Sequence, residues 1–238
     1  MALDERRLQQ NVNTVADRVA GACARVGREP DAVRLVAVTK YAELDWVRGL
    51  LRIGVTALGE SRPQQLVERS DLLEERVDWH LIGHLQRNKV RAVLPHVRMI
   101  HSVDSSALLQ RIDRISGELG RITNVFLQVN VSGESTKDGF APIALKREYP
   151  EVTQFQNVAI VGLMTMAPLG KDAESARDTF RGLRELRDQL RDQVVDGSSL
   201  DELSMGMSHD FEVAVEEGAT LIRIGSLLYD GLARSDDA

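Results

Sequence analysis

Two hydrophobic rhythms exchange with each other along this chain, and that exchange constrains its fold more than any other feature. Short β-branched apolar runs alternate with stretches whose apolar residues recur at helical spacing. Residues 4–26 place Leu8, Val12, Val15, Val19, Ala22 and Val26 on one face with charges between them, and Gly27 follows, which predicts an amphipathic helix. Beyond Pro30, strands are predicted over 33–39, 55–59, 77–82, 98–102, 124–131, 157–163, 201–204 and 220–224. Helices are predicted over 43–53, 63–75, 86–94, 105–119, 172–192 and 208–217, with a weaker one near 141–149 and a short one from 226. The strands lack clean alternation, as strands buried on both faces of a parallel sheet do. Strict strand–helix alternation indicates the α/β class. Eight such units in about 200 residues predict a single (β/α)8 barrel of the TIM type with the first helix as an N-terminal extra, a doubly wound open sheet being the competing architecture. One domain is expected over 1–234, with a frayed tail at 235–238.

Composition narrows the functional classes. The chain has 238 residues, 43% hydrophobic and 28% charged, and a formal charge of -6. That balance is globular, and a net acidic surface is ill suited to general nucleic-acid binding. Its one cysteine, Cys23, rules out an intramolecular disulfide and a cysteine zinc cluster. No apolar run approaches the ~20 residues of a membrane span. The opening MALDERRLQQ lacks the apolar core of a signal peptide, so a cytoplasmic protein is expected.

In a barrel of this kind function collects at the carboxyl ends of the strands. Only five of the 30 basic residues are lysines, so Lys40, at the end of the apolar VAVT run, stands out. Partial desolvation there would favour a nucleophilic amine suited to Schiff-base chemistry; a lysine snorkelling to water is the bland alternative. After the seventh strand, Ser204-Met205-Gly206-Met207-Ser208 forms a small-residue loop, with Ser208 expected as the N-cap of the next helix. After the eighth, Gly225-Ser226 opens a short helix. Two such loops in adjacent units suggest a phosphate site. Arg223 lies between Ile222 and Ile224, so its guanidinium is expected to face the barrel interior and to need an acceptor, either a carboxylate or a ligand. Amine, phosphate cradle and a polar partner for a ring nitrogen together suit pyridoxal phosphate. The five histidines show no tight metal-ligand spacing, and Glu60 and Asp104 are a possible carboxylate pair that nothing brings together.

The segments AVTK, LGE at 58–60, WHLIGHLQRNK at 79–89, HSVDS at 101–105, QVNVSGESTKDG at 128–139, GLMTM at 162–166, LSMGMSHDFEVAVEEGAT at 203–220 and IRIGS at 222–226 carry a resemblance. The chain resembles the pyridoxal phosphate homeostasis family, barrels related to the N-terminal domain of alanine racemase (fold type III). The resemblance implies that Lys40 forms the internal aldimine with pyridoxal 5'-phosphate and that Arg223 faces the pyridine nitrogen. It implies that Gly225, Ser226 and Ser204, with the loop containing Met205 and Ser208, hold the phosphate. His80 is a further contact candidate. Ser61 stands where the family usually has asparagine, in Gly59-Glu60-Ser61. The segment 141–156 departs from the usual pattern, and its helix is expected to be short.

The expected function is a carrier or buffer of the cofactor in vitamin B6 homeostasis, with apo pyridoxal-phosphate enzymes as possible recipients. The chain is expected to act as a monomer, a dimer being the alternative, with no nucleic-acid or membrane partner. The competing readings are a fold type III racemase or decarboxylase with Tyr229 or His80 as base, and a cofactor-free enzyme acting on a sugar phosphate. Tyr41 is expected to point away from Lys40. Racemases of this fold type add a β-rich domain, and no such domain is expected after this barrel.

Overall fold

The strands pair edge to edge in chain order and close on themselves. A computed structural model describes residues 3–233 apart from 74–75, 135, 169, 171 and 193–199; the tail at 235–238 lies outside the described residues. The strands are β1 (Arg34–Val38), β2 (Ala57–Glu60), β3 (Asp78–Leu81), β4 (Met99–Val103), β5 (Thr123–Gln128), β6 (Val158–Met164), β7 (Glu202–Ser204) and β8 (Leu221–Ile224). They form a closed barrel in the order β1 to β8. The seam is parallel, with Arg34 opposite Leu221 and Ala37 opposite Ile224. Gly162 on β6 pairs with Glu202 on β7, where a Cβ would sit 1.9 Å from the Glu202 carbonyl oxygen, so only glycine allows this close approach.

The helices are α1 (Leu3–Arg25), α2 (Leu44–Arg52), α3 (Pro63–Leu72), α4 (Val90–Val93), α5 (Ser106–Glu118), α6 (Pro142–Val152), α7 (Arg177–Arg191) and α8 (Phe211–Glu216). The extra helix α1 packs on α2 and α8. Its Arg18 pairs with Glu212 and lies 4.6 Å over the ring of Phe211.

Four helical predictions need correction. The helix predicted over 172–192 opens with a 3₁₀ turn (Ala173–Ala176), and α7 begins at Arg177. The predicted helix 86–94 is a 3₁₀ turn (Arg87–Lys89), the single turn α4, and a second 3₁₀ turn (Leu94–His96). Pro95 lacks the N–H that would prolong the helix, and Arg121 takes the freed carbonyls of Leu94 and Val97. The helix near 141–149 is longer than expected, running Pro142–Val152 with Pro150 in its last turn. The helix predicted from 208 starts at Phe211, because the Asp210 carboxylate accepts the Met207 N–H (2.6 Å) and folds residues 208–210 into a turn. Ser208 is therefore not the N-cap; Asp210 holds that position.

Two layers of side chains bury the strands. Between strands and helices, Leu50, Leu58, Leu66, Leu81 and Ile100 are fully buried. Inside the barrel, Val36, Met99, Phe126, Met164 and Leu221 form an apolar plug. Alternate residues along a strand share a face. His101, Gln128 and Arg223 thus follow Met99, Phe126 and Leu221 inward, two residues nearer the carboxyl ends. The barrel is apolar at its base and polar just beneath its mouth.

Candidate functional site

Above this polar layer, at the carboxyl ends of the strands, lies a cavity of about 550 Å³. This is within the size range of small-molecule sites. Lys40, Ser61, Ser208, Arg223, Gly225 and Ser226 line it, together with apolar side chains such as Trp46, Ile82 and Met166. Ser204, Met205 and His80 are buried and are not among the residues that line it.

Lys40 follows β1 in a turn closed by the Ala42 N–H donating to the Thr39 carbonyl (2.8 Å). It is exposed, not partly desolvated as expected, because the turn carries it past the strand end into the cavity mouth. Its ammonium lies 4.9 Å over the ring of Tyr41, so the two side chains share one side, contrary to the sequence expectation. Another rim lysine, Lys137, is pinned by Glu134 and by the Met166 carbonyl (3.3 Å), and it does not line the cavity.

Arg223 faces the interior, as its place between two isoleucines predicts, and is 4% exposed. It donates to Ser204 Oγ (2.7 Å) and to the Thr165 carbonyl (3.0 Å). Among the described residues no carboxylate lies within ion-pair distance of it. Burial lowers its pKa to about 10, against a smaller opposing effect of Asp210. Arg223 is thus a buried cation held by neutral acceptors at the wall of a cavity.

A directed chain of hydrogen bonds runs beneath it. Ser204 Oγ lies 2.7 Å from His101 Nδ1, and His101 Nε2 lies 2.8 Å from His80 Nδ1. Arginine can only donate. Ser204 therefore accepts from it, and its one proton is satisfied by donation to His101 Nδ1. His101 then carries its proton on Nε2 and donates to His80. Both rings are neutral in this assignment. Burial pulls His80 down to about 4 and His101 well below its usual value, with His80 and Arg223 adding to the effect on His101.

These shifts carry a pH dependence. The unfolded chain protonates each histidine near pH 6.5, whereas the folded chain resists until about 4 for His80. The unfolded state therefore binds more protons between these values, and stability is present above the upper one and lost as pH falls toward the lower. His80 alone is expected to contribute about 3 kcal/mol to this loss. Denaturant titrations between pH 7.5 and 4 should show the decline, and His80→Asn should flatten it by roughly half; an unchanged slope would contradict the assignment.

The two loops after β7 and β8 meet. Gly206 has φ +93, and a Cβ there would fall 2.6 Å from that of Ala214 and 2.9 Å from Phe211 Cα. Its carbonyl accepts the Arg223 N–H (3.0 Å), and Ser208 Oγ accepts the Gly225 N–H (3.3 Å). Ser226 opens a 3₁₀ turn (Ser226–Tyr229) and is exposed. Tyr229 stacks on Trp46 at 5.6 Å, and its buried hydroxyl has no hydrogen-bond partner among the described residues. Burial raises its pKa well above the usual phenol range.

Glu60 and Asp104 do not meet. Glu60 lies 3.7 Å from Arg69, and Asp104 lies 3.2 Å from His84 Nδ1. Strand-end reading missed Arg69, which sits on α3, and the Thr165 carbonyl, which no side-chain motif announces.

Residues 3–232 match the family model "Alanine racemase, N-terminal domain". A pyridoxal phosphate homeostasis protein of Aquifex aeolicus (strain VF5) is 38% identical over 221 residues, covering 92% of this chain and 96% of that protein. The chain belongs to the pyridoxal phosphate homeostasis family. This homeostasis-family barrel also superimposes on solved structures. A protein of unknown function from Bifidobacterium adolescentis aligns with a TM-score of 0.89 at 34% identity, covering 96% of each chain. PipY of Synechococcus elongatus PCC7942, solved with PLP bound, aligns at 0.78 with 38% identity, covering 90% of this chain and 99% of that one. Among the described residues of this family member, no helix is long and apolar enough to cross a membrane.

Proposed function

We propose that this chain binds pyridoxal 5'-phosphate as a Schiff base on Lys40 and serves intracellular vitamin B6 homeostasis as a carrier. The observation that carries the reading is a buried Arg223 cation with no carboxylate partner among the described residues, facing the same cavity as an exposed lysine amine. A buried guanidinium calls for an acceptor. A pyridine nitrogen supplies one without cancelling the charge. The homeostasis protein of Aquifex and the PLP-bound PipY support the choice of ligand.

The residues fit the group in kind. Bound there, the cofactor supplies an aldehyde. Lys40 would offer the amine for a reversible condensation with that aldehyde, one water being released on bonding and taken up on release. The Ser226 backbone N–H and the Ser208 and Ser226 hydroxyls offer donors for the phosphate, with the Gly225 N–H, which donates to Ser208 Oγ, beside them. Ser61 offers a hydroxyl to the ring edge, with less reach than an asparagine. Ser204 acts indirectly, by holding Arg223.

Three features favour carrying over catalysis. A guanidinium facing the ring nitrogen disfavours its protonation and weakens the ring as an electron sink. Tyr229, the candidate base, has a hydroxyl whose acidity burial suppresses and which has no partner among the described residues to take its proton. His80, the other candidate, lies below the cavity. Lys40 stands in an open mouth, where water can hydrolyse the bond and a recipient apoenzyme can collect the cofactor.

The test is incubation of the loaded protein with amino acids and, separately, with an apo pyridoxal-phosphate enzyme. Activation of the apoenzyme without sustained racemisation or decarboxylation is expected. Sustained turnover of an amino acid would defeat the carrier reading.

A further inference from the structure

The turn that carries Lys40 rests on a buried ion pair. Arg69, reaching over from α3, donates through Nη1 to the Thr39 carbonyl (2.9 Å) and through Nη2 to the Ala42 carbonyl (2.6 Å). These are the two ends of the turn that holds Lys40 and Tyr41. Glu60, at the end of β2, lies 3.7 Å from Arg69 Nη1 and accepts the Thr39 hydroxyl (3.1 Å) on the same oxygen. Its other oxygen accepts the Ser61 N–H (2.8 Å) and, at 3.3 Å, the Arg62 N–H. Glu60 is 0% exposed and Arg69 9%.

Stability alone explains such a pair poorly. Removing two charges from water offsets most of their attraction, and apolar replacements of similar volume are often neutral or better. What a guanidinium adds is a rigid planar fork that can hold two acceptors at a set separation. Here the two acceptors bracket Lys40, the one lysine among the described residues that lines the cavity. Glu60 sets the orientation of the fork and also ties the Ser61 loop to the same anchor.

We propose that Arg69, braced by Glu60, is the positioning residue for the Lys40 amine. The inference rests on the reading of Lys40 as the amine that condenses with the aldehyde. A ligand gripped at its phosphate meets that amine as an intramolecular reactant, and the gain from such closure depends on how narrowly the amine is confined. A rigid turn confines it. A loosened turn lets the side chain spread over the mouth, so the covalent gain falls while the grip on ring and phosphate remains.

Two vitamers separate these terms. Pyridoxine 5'-phosphate carries an alcohol in place of the aldehyde and reads the non-covalent grip alone. Pyridoxal 5'-phosphate reads the grip plus the bond. In Arg69→Met, affinity for the aldehyde is expected to fall about tenfold, with loss of the Schiff-base absorbance, while affinity for the alcohol stays within about twofold. Arg69→Lys keeps the charge but cannot span both carbonyls as a fork; it is expected to recover only part of the loss. Should Arg69→Met not fold, Arg69→Lys carries the same selective pattern at about a threefold amplitude. Equal losses for both vitamers, or no loss for either, would overturn the positioning role while leaving the Lys40 reading intact. A wild-type protein that binds the two vitamers equally, without Schiff-base absorbance, would remove that reading and this inference with it.

Discussion

Ser226→Asp is expected to weaken pyridoxal phosphate binding by about a hundredfold, or about 2.7 kcal/mol. Ser226 is exposed at the cavity wall, where the chain turns from β8 into its last 3₁₀ turn. A carboxylate there would face the phosphate dianion at contact range. Unit charges 4 Å apart near a protein surface repel by ~4 kcal/mol, and a dianion by more, before solvent and salt screen the pair. The loss should therefore shrink as salt rises. Ser226→Ala removes one neutral hydrogen bond and should cost only a few-fold. Absorbance titration of the three proteins at two ionic strengths checks both points. Full retention of the cofactor by Ser226→Asp would place the phosphate elsewhere.

Arg223→Ala is expected to weaken binding by about tenfold to a hundredfold and to shift the visible absorption of the bound cofactor. Two effects combine. The ring nitrogen loses its charged donor, and without a neighbouring cation it takes up a proton more readily. The substitution also frees Ser204 Oγ and the Thr165 carbonyl, which now accept from the guanidinium. Water can enter the space and satisfy them, so the chain is expected to fold. Ser204→Ala separates the effects: Arg223 keeps its charge but loses a holding contact, so a smaller loss with a smaller spectral shift is expected. An unchanged spectrum and affinity in Arg223→Ala would remove its assigned place at the ring.

The barrel was legible because its signal is periodic. Runs such as VRLVAVT and NVFLQVNV are short, branched and unalternating, and their repetition between helical stretches admits few architectures. The inward aim of Arg223 followed from strand alternation alone. Boundaries failed where a side chain or a proline redirected the backbone. Pro95 broke the helix over 86–94, and Asp210 took the Met207 amide and displaced the start of α8. Lys40 was judged from the apolar strand before it, but the turn after that strand decided its exposure. Ser204 illustrates a different limit. Its place at a strand end suggested a ligand contact, yet the same alternation that turns Arg223 inward brings the two side chains together. Arg69 and Glu60 share one unit but hold the Thr39–Ala42 turn of the unit before it, and His84, Asp104 and Asp138 converge from three loops. Contacts between units leave no periodic mark in a single sequence.

The account rests on Lys40 forming a reversible bond with the cofactor aldehyde. Borohydride reduction of the loaded protein, followed by peptide mass mapping, tests this most directly. Loss of the Schiff-base absorbance and one phosphopyridoxyl adduct on Lys40 are expected, the adduct being absent when Lys40→Ala is treated in the same way. A stoichiometric adduct on Lys137 or another lysine, or no adduct on a protein that retains the cofactor, would contradict it.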